Sequence, residues 1–303
     1  MKRAKENMIL IRLMGGLGNQ LFQYATARAL AVKNDASLKV DLTLLKNRDG
    51  NEHTVYRDFE LDAFDVRVAF ASEEEIDYFN PTPGNLAERV VNKAKRLLLP
   101  SRVYIQNGTD YDERVSTLAA PVCLIGSLQS ERYFKSIEPL LRSELVFRTR
   151  LHENAKPVAQ QIAHSEAVAV HVRRGDYVTN PIYTELLGTK GPDYYRQAFD
   201  RMESMVENPH YFIFSDDIPW CVDHIRPEKP TTYVGAPFTG GDPVQDLMLM
   251  TRCKHFIIPN STFSWWGAWL GSHPDKKVMA PKKWSNNGEA DSADRLPPEW
   301  MLI

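Results

Sequence analysis

The segment His171-Val172-Arg173-Arg174-Gly175-Asp176-Tyr177 carries the residues best suited to chemistry. Two adjacent arginines leave the end of an apolar run, and Gly175 lets the backbone turn sharply after them. In extended backbone, neighbouring side chains point opposite ways. One arginine can therefore meet a ligand while the other packs or pairs. A guanidinium stays charged and offers a planar fork suited to phosphate oxygens. The same pair can equally be a solvated surface pair bridged to Asp176. A second segment, Asn260-Ser261-Thr262-Phe263-Ser264-Trp265-Trp266, puts hydroxyls and backbone N–H groups at the start of an expected helix. First-turn amides lack intrahelical partners and the dipole is positive there, which makes an anion site. A plain N-cap by Ser261 or Thr262 is compatible with that role. Trp265, Trp266 and Trp269 read as core residues rather than a sugar platform.

Ser215-Asp216-Asp217 follows another apolar run. Such a carboxylate pair can bind a metal, act as a base, or accept hydrogen bonds from guanine N1–H and N2–H₂. It can also simply cap the next helix. Gly15-Gly16-Leu17-Gly18-Asn19-Gln20 looks like a dinucleotide fingerprint, but its register fails. Leu21 stands where a third glycine belongs, and Asp41 is only roughly where a ribose partner should be. The run can still let backbone approach a ligand, with Asn19 and Gln20 presenting amides. No GxxxxGK[ST] run is present, which disfavours a P-loop nucleotidase. The D-x-D pair Asp110-Tyr111-Asp112 lies in a polar loop and reads as a surface turn.

These loops need elements to hold them. Met8 to Met14 reads as a buried strand, Gly15 to Gly18 as a turn, Asn19 to about Lys33 as a helix and Ser37 to Leu42 as a second strand. Residues from about Thr54 to Ser116, with Pro81, Pro83, Gly84, Pro100 and Gly108, read as irregular helices and loops. Pro121 to Ile125 reads as a strand and Ser130 to Leu145 as a helix. Strands are expected at Ala167–Val172, Tyr211–Phe214, Thr231–Val234, His255–Ile258 and Lys277–Ala280. Helices are expected at Asp242–Thr251 and Phe263–Leu270. In the second half, apolar strands repeatedly end in polar loops, and open parallel sheets bind ligands at strand carboxyl ends.

The totals set limits. The chain has 303 residues, enough for two domains, and a formal net charge of -2. No broad field for nucleic acid or an acidic membrane exists, so placed cations must meet any anionic ligand. Cys123, Cys221 and Cys253 are odd in number and widely spaced, which argues against disulfides or structural zinc and for a reducing compartment. The apolar run after Met1 to Asn7 is too short for a signal segment, and no stretch reaches the ~20 residues of a membrane span. A cytoplasmic protein with at most peripheral membrane contact is expected.

Taken together, four motifs resemble the α-1,2-fucosyltransferase family, its bacterial members in particular. They are Gly15-Gly16-Leu17-Gly18-Asn19-Gln20-Leu21-Phe22-Gln23-Tyr24-Ala25, the His171 to Tyr177 segment, Phe214-Ser215-Asp216-Asp217 and the Asn260 to Trp266 segment. The resemblance runs from about residue 8 to 285. It implies an α/β GT-B architecture, with two Rossmann-like domains facing a central cleft. The acceptor-side domain would span 1–155 and the GDP-fucose-binding domain 156–303. It implies GDP-β-L-fucose as co-substrate, inversion at the anomeric carbon, no metal and no other cofactor. The acceptor would be the 2-hydroxyl of a terminal galactose in an oligosaccharide or glycolipid. Arg173 would contact the β-phosphate. His171, Arg174, Asp216 and Asp217 would lie on the donor side, near guanine or ribose. Asn260, Ser261, Thr262, Phe263 and Ser264 would cradle the diphosphate. Gly16, Gly18, Asn19, Gln20 and Gln23 would line the acceptor side. The lack of an N-terminal anchor points to a bacterial cytosolic enzyme.

Charge suggests the mechanism. Negative charge develops on GDP as the sugar–phosphate bond breaks, and without a metal a cation and oriented amides must stabilise it. Asp176, next to Arg173, is the candidate general base for the acceptor hydroxyl. The alternatives are a nucleotide-dependent oxidoreductase, resting on the glycine run, and a non-catalytic glycan-binding module.

Overall fold

A computed structural model describes residues 7–48, 55–66, 68–79, 102–286 and 294–303. Of the stretch expected as irregular helices and loops, residues 67 and 80–101, with Pro81, Pro83, Gly84 and Pro100, lie outside the described residues, as do residues 1–6. The chain divides into two units, Met1–Gly50 with Tyr56–Val146 and Asn51–Val55 with Phe147–Ile303. The fold is α/β, with two Rossmann-like units that each carry one parallel sheet.

In the first unit, strands β1 (Met8–Arg12), β2 (Ser37–Asp41), β3 (Ala69–Phe70), β4 (Val103–Ile105) and β5 (Val122–Ile125) form one sheet in the order β3-β2-β1-β5-β4. Every neighbouring pair is parallel. Met8 to Ile11 are fully buried, as the unbroken apolar run of a covered parallel strand requires. Helix α1 (Leu17–Asn34) is buried on most of its surface. It starts two residues before the expected Asn19, so Gly18 lies inside a helix and the turn is confined to Gly15 and Gly16. Glu60 explains the early start, because its Oε2 accepts the Leu17 N–H at 2.8 Å and caps the helix from a distant loop.

The expected helix over Ser130 to Leu145 is broken. Two 3-10 turns, Glu131–Tyr133 and Lys135–Ile137, precede a short α2 (Glu138–Glu144). Pro139 sits in the first turn of α2, where its missing N–H costs nothing; one turn further in, it would interrupt the ladder.

The expected border at 155/156 lies nine residues after Phe147, inside the second unit. That border falls at the start of α3 (Lys156–Ala163), which buries Val158 and Ile162 four residues apart. The polar stretch is thus the outer face of this unit's first helix. Strands β6 (Glu166–Val172), β7 (Pro209–Ser215), β8 (Thr231–Val234), β9 (His255–Ile257), β10 (Val278–Ala280) and β11 (Met301–Leu302) form a parallel sheet in the order β11-β10-β9-β6-β7-β8. The two-residue strands β3 and β11 are too short for any alternation to announce them.

Strand β6 sits near the middle of its sheet. Its Val168, Val170 and Val172 pack with Tyr195, Ala198, Phe199 and Met202 of α6 (Pro192–Glu203), whose path follows two short helices, α4 (Gly175–Thr179) and α5 (Pro181–Leu186). Residues Ala167, Ala169 and His171 alternate to the other face. Helices α7 (Ile218–His224), α8 (Pro243–Met250) and α9 (Thr262–Leu270) complete the elements around the site. Trp265, Trp266 and Trp269 of α9 are buried, and Trp265 Nε1 donates to the Arg295 carbonyl at 2.9 Å. They are core residues, as expected. All three cysteines are buried and free.

Candidate functional site

The chain leaves β9 one way along the sheet, to β10 and β11, and leaves β6 the other way, to β7 and β8. The point between β6 and β9 is therefore a topological switch, where the loops diverge and leave room for a ligand. The segment from Arg173 to Tyr177 stands at the carboxyl end of β6, and Asn260 to Ser264 at that of β9. Two contacts join them. Tyr177 Oη donates to the Asn260 carbonyl at 3.2 Å, and the His171 and Phe263 rings lie 5.6 Å apart. Sequence separation gave no hint of these pairings.

The two arginines diverge as alternation requires. Arg173 reaches Asp176 Oδ1 through Nη2 at 2.5 Å and Asp216 Oδ2 through Nη1 at 2.6 Å. Its guanidinium also lies 5.5 Å from the centre of the Tyr177 ring. Arg174 turns away, pairs with Asp217 Oδ2 at 3.0 Å and lies 3.9 Å over the Trp220 ring. Asp217 also caps α7, because its Oδ1 accepts the Trp220 N–H at 3.1 Å. Hydrogen bonds from Arg174 and from the Trp220 backbone hold the Asp217 carboxyl below its ordinary range. Of the readings expected for the carboxylate pair, the helix cap is met by Asp217, while the pairing of Asp216 with Arg173 is not among them.

His171 is buried, and its pKa is pushed down to about 3, first by burial and then by Arg173. Its imidazole is neutral at physiological pH, so it can offer a ligand one donor or one acceptor but no charge. Its Nδ1 is buried without a hydrogen-bond partner, and so is Asn260 Oδ1. The Asn260 amide nitrogen is engaged internally, at 2.9 Å from the carbonyls of both Leu187 and Trp284. Ser261 occupies the N-cap of α9, yet its side chain accepts no bond from the first turn. Ser264 Oγ donates to the Ser261 carbonyl at 3.2 Å. The expected side-chain cap is thus absent at Ser261, which leaves the first-turn amides to other acceptors.

Sequence reasoning missed Asp246. It lies in α8, its Oδ1 is buried without a partner, and burial raises its pKa to about 7, with Asp242 adding to the shift. Buried polar atoms are nearly always hydrogen-bonded, so Asp246 Oδ1, His171 Nδ1 and Asn260 Oδ1, like Thr26 Oγ1 and His273 Nδ1, keep a hydrogen-bonding capacity that the described residues do not meet. The available signal was a single acid in the otherwise uncharged helix Pro243-Val244-Gln245-Asp246-Leu247-Met248-Leu249-Met250.

The first unit treats its expected residues differently. Gln20 is fully buried. Its Nε2 donates to the carbonyls of Gly15 and Asp58 at 2.8 and 2.7 Å, and its Oε1 accepts from Glu60 N at 2.9 Å. Gln23 pairs with both backbone groups of Met14, at 3.1 and 3.2 Å. These amides brace the turn after β1 and are turned inward, so Gln20 does not present its amide as expected. Gly15 adopts φ +74°, and a Cβ there would lie 2.4 Å from Asn19 Nδ2. Gly16 is the N-cap of α1 and Gly18 is buried within it. Asn19 Oδ1 accepts from Gln129 Nε2 at 3.0 Å. That bond joins the first turn of α1 to the loop after β5.

Among the described residues, no group of three His, Cys, Asp or Glu side chains gathers as a metal site. The D-x-D pair is the turn it was expected to be. Asp112 caps the 3-10 helix Glu113–Thr117, pairs with Arg114 at 2.7 Å and accepts from Tyr104 Oη at 2.7 Å. No helix of the described residues is long and apolar enough to cross a membrane.

Residues 8–303 match the model of Glycosyl transferase family 11. An α-1,2-colitosyltransferase of Escherichia coli is 34% identical over 300 residues, covering 98% of this chain and 99% of that one. The O-antigen biosynthesis glycosyltransferase WbnK of Escherichia coli is 31% identical over 288 residues, covering 90% and 93%. The galactoside 2-α-L-fucosyltransferase Sec1 of Mus musculus is 25% identical over 274 residues, covering 88% of this chain and 65% of the mouse protein.

Proposed function

The chain belongs to glycosyl transferase family 11, and from that premise we propose that it transfers L-fucose from GDP-β-L-fucose to the 2-hydroxyl of a terminal galactose. The observation that carries this reading is Arg173, a half-buried guanidinium at the carboxyl end of β6, beside the switch point from which α9 starts. A diphosphate leaving group needs a fixed cation and oriented N–H donors where its charge develops. Arg173 and the first turn of α9 supply both kinds of group, and no metal is required. His171 and the loop from Asn260 to Ser264 line the donor side.

The reaction is a displacement with inversion. The acceptor oxygen forms a bond to the anomeric carbon as the bond from that carbon to the β-phosphate oxygen breaks. The leaving electron pair passes to GDP, and the acceptor proton goes to a carboxylate. Asp176 is the proposed base. Its contact with Arg173 sets base and clamp side by side.

The galactose acceptor draws support from the name of the mouse relative, and a bacterial surface glycan from that of WbnK. A second donor is favoured by the similarity, over nearly the whole chain, to an enzyme named for colitosyl transfer. Incubation with GDP-fucose and galactose-ended acceptors, with the product linkage read by NMR, tests the proposal. A β- or non-1,2-linked product, or turnover with a colitosyl donor alone, would refute it. The oxidoreductase alternative rested on the glycine run alone, and the family match over residues 8–303 speaks against it.

A further inference from the structure

The register of β6 on β7 pairs Val172 with Ser215. Carried one residue further, it sets Arg173 beside Asp216, and the side chains meet there at 2.6 Å. The other oxygen of Asp216 accepts the backbone N–H of Arg174 at 2.8 Å. A single carboxylate therefore holds both the turn that follows β6 and the guanidinium that leaves it. Gly175 fits the same picture. A Cβ at that position would lie 2.5 Å from Asp216 Oδ2 and 3.2 Å from its Cγ, far inside contact distance. The backbone there is not in the left-handed region, so glycine is required by the neighbouring carboxylate and not by φ.

We propose that Asp216 is a positioning residue, which aims the Arg173 guanidinium at the donor diphosphate through the gap left by Gly175 and does not read the nucleobase. This rests on the reading of the Arg173 loop as a diphosphate site. Both carboxylate oxygens of Asp216 already serve Arg173 and the Arg174 backbone, whereas a base-reading carboxylate would turn a pair of acceptors toward the purine. A guanidinium held at two of its nitrogens loses little freedom when phosphate arrives, and misplacement by about 1 Å is enough to cost on the order of a hundredfold in rate.

Calorimetric titration with GDP, GMP and ADP separates the roles, using wild type, Asp216→Asn and Gly175→Ala. Asparagine keeps the shape and loses the charge; alanine leaves the carboxylate in place but pushes it aside. In both variants GDP affinity should fall about tenfold to a hundredfold, GMP affinity should hold, and the preference for GDP over ADP should persist. Activity should fall in kcat more than in acceptor KM. Retained GMP binding also reports that each variant is folded, and either variant alone suffices. Loss of GMP binding in step with GDP, together with a collapsed GDP-over-ADP preference, would make Asp216 a base reader and overturn the proposal. Unchanged GDP binding in a folded variant would overturn it too. Wild-type protein that binds GMP as tightly as GDP would instead remove the diphosphate reading itself.

Discussion

Replacing Arg173 by lysine isolates the fork from the charge. In the wild type, Nη1 and Nη2 reach two carboxylates on different elements, Asp216 at 2.6 Å and Asp176 at 2.5 Å. An ammonium is a single nitrogen on a shorter reach and cannot span both while also meeting a phosphate. Loss of one transition-state donor of this kind lowers kcat on the order of 10²–10³, or about 2.7–4 kcal/mol of barrier. Stability should respond much less. The Arg173 and Asp216 side chains are 24% and 26% exposed, the net charge is unchanged, and partly exposed pairs contribute about 1 kcal/mol or less. The assay is GDP release from the sugar nucleotide with saturating acceptor, run beside a thermal melt. The expected result is a large fall in kcat with a melting temperature within a few degrees of wild type. Arg173→Lys enzyme that turns over near the wild-type rate would refute the reasoning, because charge alone would then suffice. Parallel losses of activity and melting temperature would refute it as well, since the arginine would then be a structural strut.

Three further outcomes follow from the same geometry. Excess EDTA should leave turnover almost unchanged, and Asp112→Ala should behave likewise, since Asp112 serves Arg114, Tyr104 and a helix cap; full loss restored by Mn²⁺ would contradict this. Gln20→Ala should remove three buried hydrogen bonds and cost about 3 kcal/mol of first-unit stability, measured by denaturant melts, while acceptor KM moves little; a raised KM with unchanged stability would show that the amide faces the acceptor after all. His171 has a folded pKa of about 3 against an ordinary 6.5, so the unfolded chain binds more protons, and the stability due to His171 is intact above the unfolded value and lost as pH falls from there toward the folded one. From pH 7.5 to pH 5 it should contribute a loss of about 2 kcal/mol, which His171→Asn should abolish; equal slopes in the two proteins would show that another group carries the effect.

Much of this molecule is legible in one dimension. Apolar runs of four to seven residues ending in charged or hydroxyl-rich loops identify β1, β6, β7 and β9 and the ends at which ligands meet the sheets. Tryptophans within an apolar helix identify a core, and the isolated cysteines identify themselves as buried thiols. These inferences succeed because alternation, helical period and strand ends are local properties of the chain. What stayed open is what depends on register and on which distant loop returns to meet which. Alternation alone says that Arg173 and Arg174 diverge, but only the pairing of Val172 with Ser215 gives the first to Asp216 and the second to Asp217. The amide of Gln20 looks available in the sequence, but the return of the Asp58 to Glu60 loop turns it inward. Asp246 looks like a routine helix acid until burial strips it of water and leaves one oxygen without a partner. A side chain's chemistry is written in its type, but its partners, and with them its charge and its role, are set by residues far away in the chain.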